Sequence, residues 1–178
     1  MKIVILIGSS RKGGNTELLA RAFAAGAAEH NEVELISVSD VHVNPCIGCN
    51  ACRKRKDHDC FQQDDMRGLH EKLKTADLIV FASPVYFYGL TAQLKAIVDR
   101  FHAPIRNELK VRKLALLLVA ADTIPEVFDS ILIQYESTLS YFHLADAGKV
   151  LVRGVEEKGA IKGNPALDEA RELGRSIL

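Results

Sequence analysis

A glycine-bearing segment near the N-terminus has the residue types of an anion-binding loop. Gly8-Ser9-Ser10-Arg11-Lys12-Gly13-Gly14-Asn15-Thr16 lies between an apolar run and an amphipathic stretch. At a strand-to-helix turn, backbone N–H groups and the helix dipole favour a phosphate, and the hydroxyls of Ser9, Ser10 and Thr16 and the guanidinium of Arg11 can add donors. The segment is not a Walker A loop, because Gly14-Asn15 stand where that motif requires Lys followed by Ser or Thr. It does not match the GxGxxG motif of dinucleotide-binding loops either. The alternative is a tight structural turn without a ligand.

An aromatic segment is the second candidate binding element. Ser83-Pro84-Val85-Tyr86-Phe87-Tyr88-Gly89 follows a run of apolar residues that reads as a strand. An aromatic turn at the carboxyl edge of a sheet offers a flat stacking face and backbone donors, which suits a planar heterocycle. The alternative for each ring is packing against the next helix or against another subunit. We expect Tyr86 to make the ligand contact.

Four clustered cysteines form the third motif. Cys46, Cys49, Cys52 and Cys60 have the spacing C-x2-C-x2-C-x7-C, and the first gaps are those of a compact run that wraps a [4Fe-4S] cube. Three hypotheses stay open: a [4Fe-4S] cluster, a zinc site that recruits His58, and unligated thiols used in packing or subunit contact. The basic run Arg53 to Lys56 is typical of a solvated loop; alternatively, its charge offsets that of a cluster or attracts an anionic partner.

Short β-branched runs alternate with amphipathic stretches along the whole chain. Strands are predicted at Lys2 to Ile7, Glu32 to Val38, Leu78 to Ala82, Lys113 to Val119 and Lys149 to Val152. Helices are predicted to start at Asn15 and Asp64 as caps, and to cover Thr91 to Phe101, Pro125 to Phe142 and the stretch after Asn164-Pro165. This pattern predicts one α/β domain over residues 1–178, with a doubly wound, five-stranded parallel sheet, helices on both faces and a cysteine-rich insertion at 44–63.

The topology of such a sheet predicts where its ligands bind. They lie outside the carboxyl ends of the strands at the switch point, so we expect the loops after strands one, three and four to converge. The cysteine segment follows strand two and should project from the same edge. Lys95, Asp99 and Arg100 lie well along the following helix, so we expect them in caps, ion pairs or a subunit contact rather than in catalysis.

Charge and composition exclude several classes of function. Lysine plus arginine number 23 and aspartate plus glutamate 23, so no basic field attracts nucleic acid or a membrane surface. Zero formal net charge weakens self-repulsion, and we expect a homo-oligomer. We expect a cytoplasmic protein on three grounds. The cysteines are clustered rather than dispersed, the N-terminal residues are typical of a strand rather than a signal peptide, and no apolar run reaches transmembrane length. No Ser/His/Asp or Cys/His arrangement supports a hydrolase.

The two loops together resemble those of a known family. The chain resembles the NADPH-dependent FMN reductase family of flavodoxin-like proteins over nearly its whole length. The residues that carry this resemblance are Gly8-Ser9-Ser10-Arg11 with Asn15-Thr16 in the first loop, and Ser83-Pro84-Val85-Tyr86 and Gly89 with Lys95 and Asp99-Arg100 in and after the second. Within this family, the chain most resembles the branch of the iron-sulfur flavoproteins and their cluster-free relatives. Some of those relatives share the Cys-x-Gly-Cys form and an Asp-Asp-Met like Asp64-Asp65-Met66.

This resemblance implies strand order 2-1-3-4-5 and FMN as cofactor. Ser9, Arg11, Asn15 and Thr16 would hold the phosphate, and Pro84 to Gly89 would border the isoalloxazine. The candidate cofactor-binding set is Ser9, Ser10, Arg11, Gly14, Asn15, Thr16, Pro84, Val85, Tyr86, Phe87, Tyr88, Gly89 and Asp122. Two positions depart from the family pattern: Ser10 replaces a common proline, and Ala120-Ala121-Asp122-Thr123 replaces a glycine-bearing turn.

The resemblance also implies the reaction. We expect an FMN-dependent oxidoreductase that moves electrons from NAD(P)H or a carrier to a small acceptor such as a quinone, a flavin or a metal complex. The alternative is an FMN and [4Fe-4S] protein that relays electrons between protein partners. The homo-oligomer would be a dimer or a tetramer.

Overall fold

Five parallel strands form the sheet that positions every loop discussed below. The computed structural model describes residues 1–178 and places β1 at Lys2–Ile7, β2 at Glu32–Ser37, β3 at Leu78–Pro84, β4 at Lys113–Val119 and β5 at Ala145–Val152. The strand order is β2-β1-β3-β4-β5, and each neighbouring pair is parallel. The predicted flavodoxin-like fold class and strand order are confirmed, and the order reverses between β1 and β3.

Five helices cover the two faces of the sheet. They are α1 (Asn15–Ala27), α2 (Met66–Lys74), α3 (Ala92–Arg100), α4 (Asp129–Phe142) and α5 (Ala166–Arg175). Short 3-10 turns occur at Ala51–Lys54, Pro104–Glu108 and Pro125–Phe128. None of the helices combines the length and the apolar character that crossing a bilayer requires.

Alternation along the strands builds a hydrophobic core on each face. In β1, Ile3, Ile5 and Ile7 pack in the cluster that contains α1 and α5, whereas Val4 and Leu6 pack in the cluster that contains α2, α3 and α4. Side chains of a strand point alternately to opposite faces, so a strand covered on both faces is apolar at every position. The continuous apolar runs in the sequence follow from this double covering.

The contact between α1 and α5 depends on two glycines. A Cβ added to Gly26 would overlap the carbonyl oxygen of Arg171, and one added to Gly174 would overlap the carbonyl oxygen of Phe23. The two helix backbones therefore touch at a distance that no other residue permits. Because α1 begins at the glycine-bearing loop, this contact fixes where that loop lies.

Several boundaries differ from the sequence predictions: β2 ends at Ser37, β3 extends to Pro84, and α4 begins at Asp129 after a 3-10 turn. Gly14, not Asn15, is the N-cap of α1. Asp65 rather than Asp64 is the N-cap of α2. The Asp64 carboxylate accepts the N–H of Met66 at 3.2 Å, but its other hydrogen bonds come from Asn44 and Arg100. Strand β5 starts at Ala145 rather than Lys149 because its first half, with Ala, Asp and Gly, pairs with β4 without the β-branched residues that announce a strand.

Candidate functional site

A cleft of about 220 Å³ opens at the carboxyl edge of the sheet. Four loops line it, those after β1, β3, β4 and β5, through Ser9, Arg11, Gly14, Asn15, Thr16, Pro84, Val85, Tyr86, Val119, Ala121, Val155, Glu156 and Lys158. The expected convergence of the first three loops is present. The loop after β5 forms the fourth wall, which the sequence motifs did not predict.

One end of the cleft has the donors of an anion site. The Ser9 hydroxyl accepts the N–H of Arg11 at 3.2 Å, and the N–H of Gly14 donates to the Arg11 carbonyl at 3.0 Å, which curls the loop towards α1. The N–H groups of Asn15 and Thr16, in the first turn of α1, have no acceptor in the chain. These groups and the Arg11 guanidinium make this end of the cleft suited to a phosphate.

The side chain of Glu17 completes the loop from outside the cleft. Its carboxylate accepts the N–H of Gly13 at 2.7 Å and pairs with Arg21 at 2.7 Å. The hydrogen bond from Gly13 holds the pKa of Glu17 below its ordinary value, with a smaller contribution from Arg21. The N–H of Gly13 is therefore engaged within the loop and is not a donor to a ligand.

Lys158 adds a second cation to the same end of the cleft. A Cβ on Gly13 would lie 3.6 Å from Cε and 3.9 Å from Nζ of Lys158, so the lysine side chain lies over the glycine-bearing loop. In the sequence it stands far from that loop, in an ordinary charged run. No local pattern marks it, and only the topology brings it to the loop.

Asn15 fixes the loop after β5 to the loop after β1. Its Nδ2 donates to the carbonyls of Val155 at 3.0 Å and Glu157 at 2.9 Å. Its Oδ1 accepts the N–H groups of Gly159 at 2.9 Å and Ile161 at 3.3 Å. The amide makes four hydrogen bonds within the chain, so the side chain is engaged and only the backbone N–H of Asn15 is left for an anion.

The aromatic segment forms a two-residue turn beside the cleft. Tyr86 and Gly89 exchange two backbone hydrogen bonds of 3.0 Å, and the two residues between them, Phe87 and Tyr88, have φ of 48° and 60°. Positive φ is strained for aromatic residues, and such strain is found mainly at functional sites. Phe87 is fully exposed, and Tyr86 and Tyr88 are half exposed, so the turn presents three rings to solvent.

Thr91 joins the aromatic segment to the glycine-bearing loop. Its hydroxyl donates to the carbonyl of Gly8 at 2.7 Å and accepts the N–H of Leu94 as the cap of α3, while its N–H donates to the Ser83 hydroxyl at 3.3 Å. Thr91 is 1% exposed. The two loops are therefore held as one unit.

Five residues of the candidate set do not line the cleft: Ser10, Phe87, Tyr88, Gly89 and Asp122. Ser10 is exposed at the outer side of its loop. The carboxylate of Asp122 accepts the N–H groups of Thr123 at 2.7 Å and Ile124 at 3.1 Å, which turns the chain after β4, and its neighbour Ala121 lines the cleft instead. Phe87, Tyr88 and Gly89 lie beyond Tyr86 in the aromatic turn.

All four cysteines line a second, much smaller pocket. Cys46 and Cys49 are exposed, Cys60 is half-buried and Cys52 is buried, and no disulfide joins them. No three His, Cys, Asp or Glu side chains are arranged to hold a metal ion, and His58 is exposed and does not line this pocket. His58 is therefore not placed as a fifth ligand beside the four cysteines. A cube binds each thiolate at a separate iron, so the shared pocket has the donor set of a [4Fe-4S] cluster.

The cysteine pocket does not lie beside the cleft, contrary to expectation. Its other wall is formed by Arg100, His102 and Ala103, at the C-terminal end of α3, whereas Thr91 at the N-terminal end of α3 contacts the glycine-bearing loop. The cysteine segment leaves the sheet after β2 but folds back along α3. A nine-residue helix is about 14 Å long, so the two sites lie at opposite ends of that length.

A buried ion pair closes the base of the cysteine segment. Arg100 Nη1 donates to Asp64 Oδ2 at 2.6 Å and to the Asn44 carbonyl at 2.9 Å, and Nη2 donates to Asp64 Oδ1 at 3.1 Å. The side chains of Arg100 and Asp64 are 2% and 0% exposed. Burial alone would raise the pKa of Asp64, but the hydrogen bonds from Arg100, Asn44 and Met66 outweigh it and lower the pKa. The predicted ion-pair role of Arg100 is confirmed, and Lys95 pairs with Asp99.

A buried histidine supports the last cysteine through an aspartate. Asp59 Oδ1 accepts the N–H of Cys60 at 2.7 Å and lies 2.9 Å from Nδ1 of His70, which is fully buried. Burial lowers the pKa of His70, and Asp59 opposes this shift only in part. The lowered pKa favours the neutral imidazole, and His70 orients Asp59, the residue next to Cys60.

Known proteins are similar to this chain in sequence. A family model described as NADPH-dependent FMN reductase matches residues 1–162. The iron-sulfur flavoprotein MJ1083 of Methanocaldococcus jannaschii is 45% identical over 113 residues, which are 63% of this chain and 57% of the relative. An iron-sulfur flavoprotein of Methanosarcina thermophila is 43% identical over 102 residues, 56% of this chain and 52% of the relative. The chain spans about half the length of these relatives.

Solved structures extend the similarity of fold over the whole chain. The NAD(P)H:quinone oxidoreductase of Methanothermobacter marburgensis superposes with a TM-score of 0.72 over 100% of this chain and 99% of its own, at 16% identity. At this level of identity, the likeness concerns the fold, and the cleft must be interpreted from its own residues.

Proposed function

Because the chain belongs to the NADPH-dependent FMN reductase family, we propose that its cleft binds FMN. The observation that carries this proposal is the division of the cleft into an end with cations and free N–H groups and an end beside an aromatic turn. The N-terminus of α1 would hold the phosphate, and Pro84, Val85 and Tyr86 would border the ring. Ser9, Thr16 and Gly14 complete the phosphate site, with Ser10 at its outer side.

The charges of the phosphate end suit a phosphate monoester. Such a group carries about −1.5 to −2 at neutral pH, and Arg11 and Lys158 supply two positive charges at the cleft. Arginine can bind two phosphate oxygens at once, and lysine acts as a point charge. Asn15 contributes its backbone N–H, while its side chain holds the Lys158 loop in place.

Free backbone donors of the aromatic turn suit the ring. The N–H of Val85 donates to the Val119 carbonyl at 2.9 Å and that of Tyr86 to Gly89 at 3.0 Å, whereas those of Phe87 and Tyr88 have no acceptor in the chain. Phe87 and Tyr88 lie beyond the residues that line the cleft, so only a part of the flavin ring that projects past Tyr86 could accept hydrogen bonds from them. The strained conformation of the turn is consistent with a role in presenting these groups.

We infer that the protein is an oxidoreductase that passes electrons from NAD(P)H or a carrier to a small acceptor such as a quinone, a flavin or a metal complex. Bound FMN supplies the hydride and single-electron chemistry. The chain binds the phosphate, orients the ring and leaves the ring accessible at the open edge of the sheet. No side-chain acid or base is needed for this chemistry.

Binding of FMN and riboflavin to the flavin-free protein tests this proposal. Riboflavin has the same ring but no phosphate, so it should bind at least about 100-fold more weakly, since two charge-assisted contacts are lost. Quenching of flavin fluorescence measures both dissociation constants. Equal affinities, or no quenching by FMN, would show that the cleft is not an FMN site.

A second candidate function is electron relay between protein partners through FMN and a [4Fe-4S] cluster. The pocket lined by Cys46, Cys49, Cys52 and Cys60 favours it, because four thiolates are the ligand set of such a cluster. Anaerobic purification should then yield about four iron and four sulfide per chain. Iron and sulfide should fall together in Cys49→Ser, and because this side chain is exposed, the substitution should leave the fold intact.

We also infer that the protein is a homo-oligomer, either a dimer or a tetramer. The fully exposed Phe87 and the half-exposed Tyr86 and Tyr88 form an apolar projection beside the cleft that a second subunit would cover. Light scattering coupled to size-exclusion chromatography measures the mass directly. A monomer at micromolar concentration would contradict the inference.

A further inference from the structure

Only two buried polar side-chain atoms lack a hydrogen-bond partner, Arg100 Nε and His70 Nε2. A buried donor without an acceptor is costly, and native proteins contain few. Both atoms belong to the groups that support the cysteine segment, and Arg100 lines the cysteine pocket itself. The unpartnered Nε of Arg100 therefore points to an acceptor at that pocket.

The geometry of the ion pair leaves one edge of the guanidinium free. Asp64 accepts from both Nη atoms of Arg100, and the Asn44 carbonyl accepts from Nη1. Asn44 and Asp64 stand at the two ends of the cysteine segment, so these contacts lock the guanidinium relative to the cysteines. The side chain is 2% exposed, which keeps water from the remaining edge.

We propose that Arg100 is a positioning residue for the iron-sulfur cluster, and that its Nε–H donates to a sulfur of the cluster and stabilises the reduced form. This inference rests on the cluster proposed above. The thiolates and sulfides of a cluster accept hydrogen bonds, and Arg100 is the arginine or lysine that lines the cysteine pocket. The burial of a whole ion pair below the pocket adds little to stability by itself, which favours a role in the site.

The effect of such a contact follows from charge. Four thiolates around a [4Fe-4S]²⁺ core give a net charge of about −2, and one electron from a chemical reductant makes it more negative, with no bond broken. A cation with an N–H directed at sulfur stabilises the more negative state. Hydrogen bonds to sulfur and nearby charge are the means by which proteins raise the reduction potential of a cluster.

Arg100→Lys tests the proposal because it keeps the charge against Asp64 but removes the Nε–H. The matched control is Arg106→Lys, an arginine of the following turn that donates to the His102 carbonyl and contacts the Tyr141 ring. Reduction by dithionite at controlled potential, followed by electron paramagnetic resonance, gives the ratio of reduced to oxidised cluster. In Arg100→Lys this ratio should fall about tenfold at a fixed potential, and it should be unchanged in Arg106→Lys.

A vibrational measurement isolates the hydrogen bond. Resonance Raman Fe–S frequencies should shift between H₂O and D₂O in the wild type, and one of these shifts should vanish in Arg100→Lys. Wild-type protein that lacks iron and sulfide after anaerobic reconstitution would overturn the cluster proposal, and this inference with it. A cluster present in both proteins with equal reduction and equal isotope shifts would overturn the role of Arg100 alone.

A second variant covers the case in which Arg100→Lys fails to fold or to incorporate a cluster. Asp64→Asn removes the charge that neutralises Arg100 and keeps the guanidinium in place, so cluster reduction should become easier, in the opposite direction to Arg100→Lys. Loss of a carboxylate near the cluster eases reduction by charge alone, so Asp64→Asn must also keep the H₂O/D₂O shift of an Fe–S frequency that marks the Nε–H of Arg100. Unchanged or more difficult reduction in Asp64→Asn would overturn the inference.

Discussion

The side-chain amide of Asn15 donates to the carbonyl oxygen of Val155 at 3.0 Å and thereby joins the first residue of α1 to the loop after β5. The two residues are 140 positions apart. With three further hydrogen bonds to Glu157, Gly159 and Ile161, this one side chain holds Lys158 over the glycine-bearing loop. The fourth wall of the cleft depends on it.

Asn15→Ala should therefore lower both stability and FMN affinity. It leaves four backbone groups without their partner, two of them at a buried position, so we expect a loss of about 2–3 kcal/mol in the free energy of unfolding. FMN binding should weaken about tenfold because the loop that carries Lys158 is released. Urea unfolding and fluorescence titration measure the two effects. Asn107→Ala, at an exposed position without side-chain hydrogen bonds, is the control, and equal stabilities of the two variants would refute this role of Asn15.

Lys158→Met should weaken the binding of FMN but not of riboflavin. The ammonium group lies at the phosphate end of the cleft, so its loss should raise the dissociation constant of FMN about tenfold at low salt, and less at high salt. Lys162→Met is the matched control, because Lys162 lies in the same loop, is exposed and does not line the cleft. Weakening of riboflavin to the same degree would mean that Lys158 acts on the ring or on the fold instead.

Gly26→Ala should destabilise the protein, whereas Gly68→Ala should stabilise it. The added methyl at Gly26 meets the backbone of α5, and overpacking of this kind costs about 1–3 kcal/mol. Gly68 lies within α2, and a methyl added there would meet no atom within 4 Å, so alanine should gain about 0.5–1 kcal/mol through its higher helix propensity. Thermal unfolding of both variants checks the signs, and a stable Gly26→Ala would show that α1 and α5 can move apart.

His70 should make stability fall as the pH drops below neutrality. Burial lowers its pKa below 6.5, and the charges of Arg100 and Lys74 act in the same direction, against Asp59. Well above pH 6.5 the histidine is neutral in the folded and in the unfolded chain, so it contributes no pH dependence there. As the pH falls through 6.5, the unfolded chain takes up a proton that the folded chain does not, and stability is lost until the folded pKa is reached.

Urea unfolding at pH 7.5 and 5.5 measures this loss, which we expect to be about 1 kcal/mol larger in the wild type than in His70→Gln. Glutamine retains a donor for Asp59 and does not titrate. Identical pH dependence of the two proteins would show that folding leaves the pKa of His70 unchanged.

Most of the fold and half of the site were predictable from local sequence. Strands covered on both faces are apolar throughout, and the glycine-bearing loop and aromatic segment are continuous stretches with their own chemistry. Lys158 and the hydrogen bonds of the Asn15 amide were not predictable, because both depend on a contact between loops at opposite ends of the chain. The prediction that the cysteine segment lies beside the cleft was wrong for the same reason. The segment follows β2, but its packing against Arg100 and Ala103 is a tertiary contact that the local sequence does not show.

An absorption spectrum of anaerobically purified protein, recorded before and after NADPH, tests the FMN site and its chemistry together. We predict oxidised-flavin absorbance with one FMN per chain, which is lost when NADPH is added and regained when a quinone follows. Broad iron-sulfur absorbance beneath it, with about four iron per chain, would favour the electron-relay function. A protein that shows no flavin absorbance and gains none on addition of FMN would contradict the binding of FMN in the cleft at Ser9, Arg11 and Thr16.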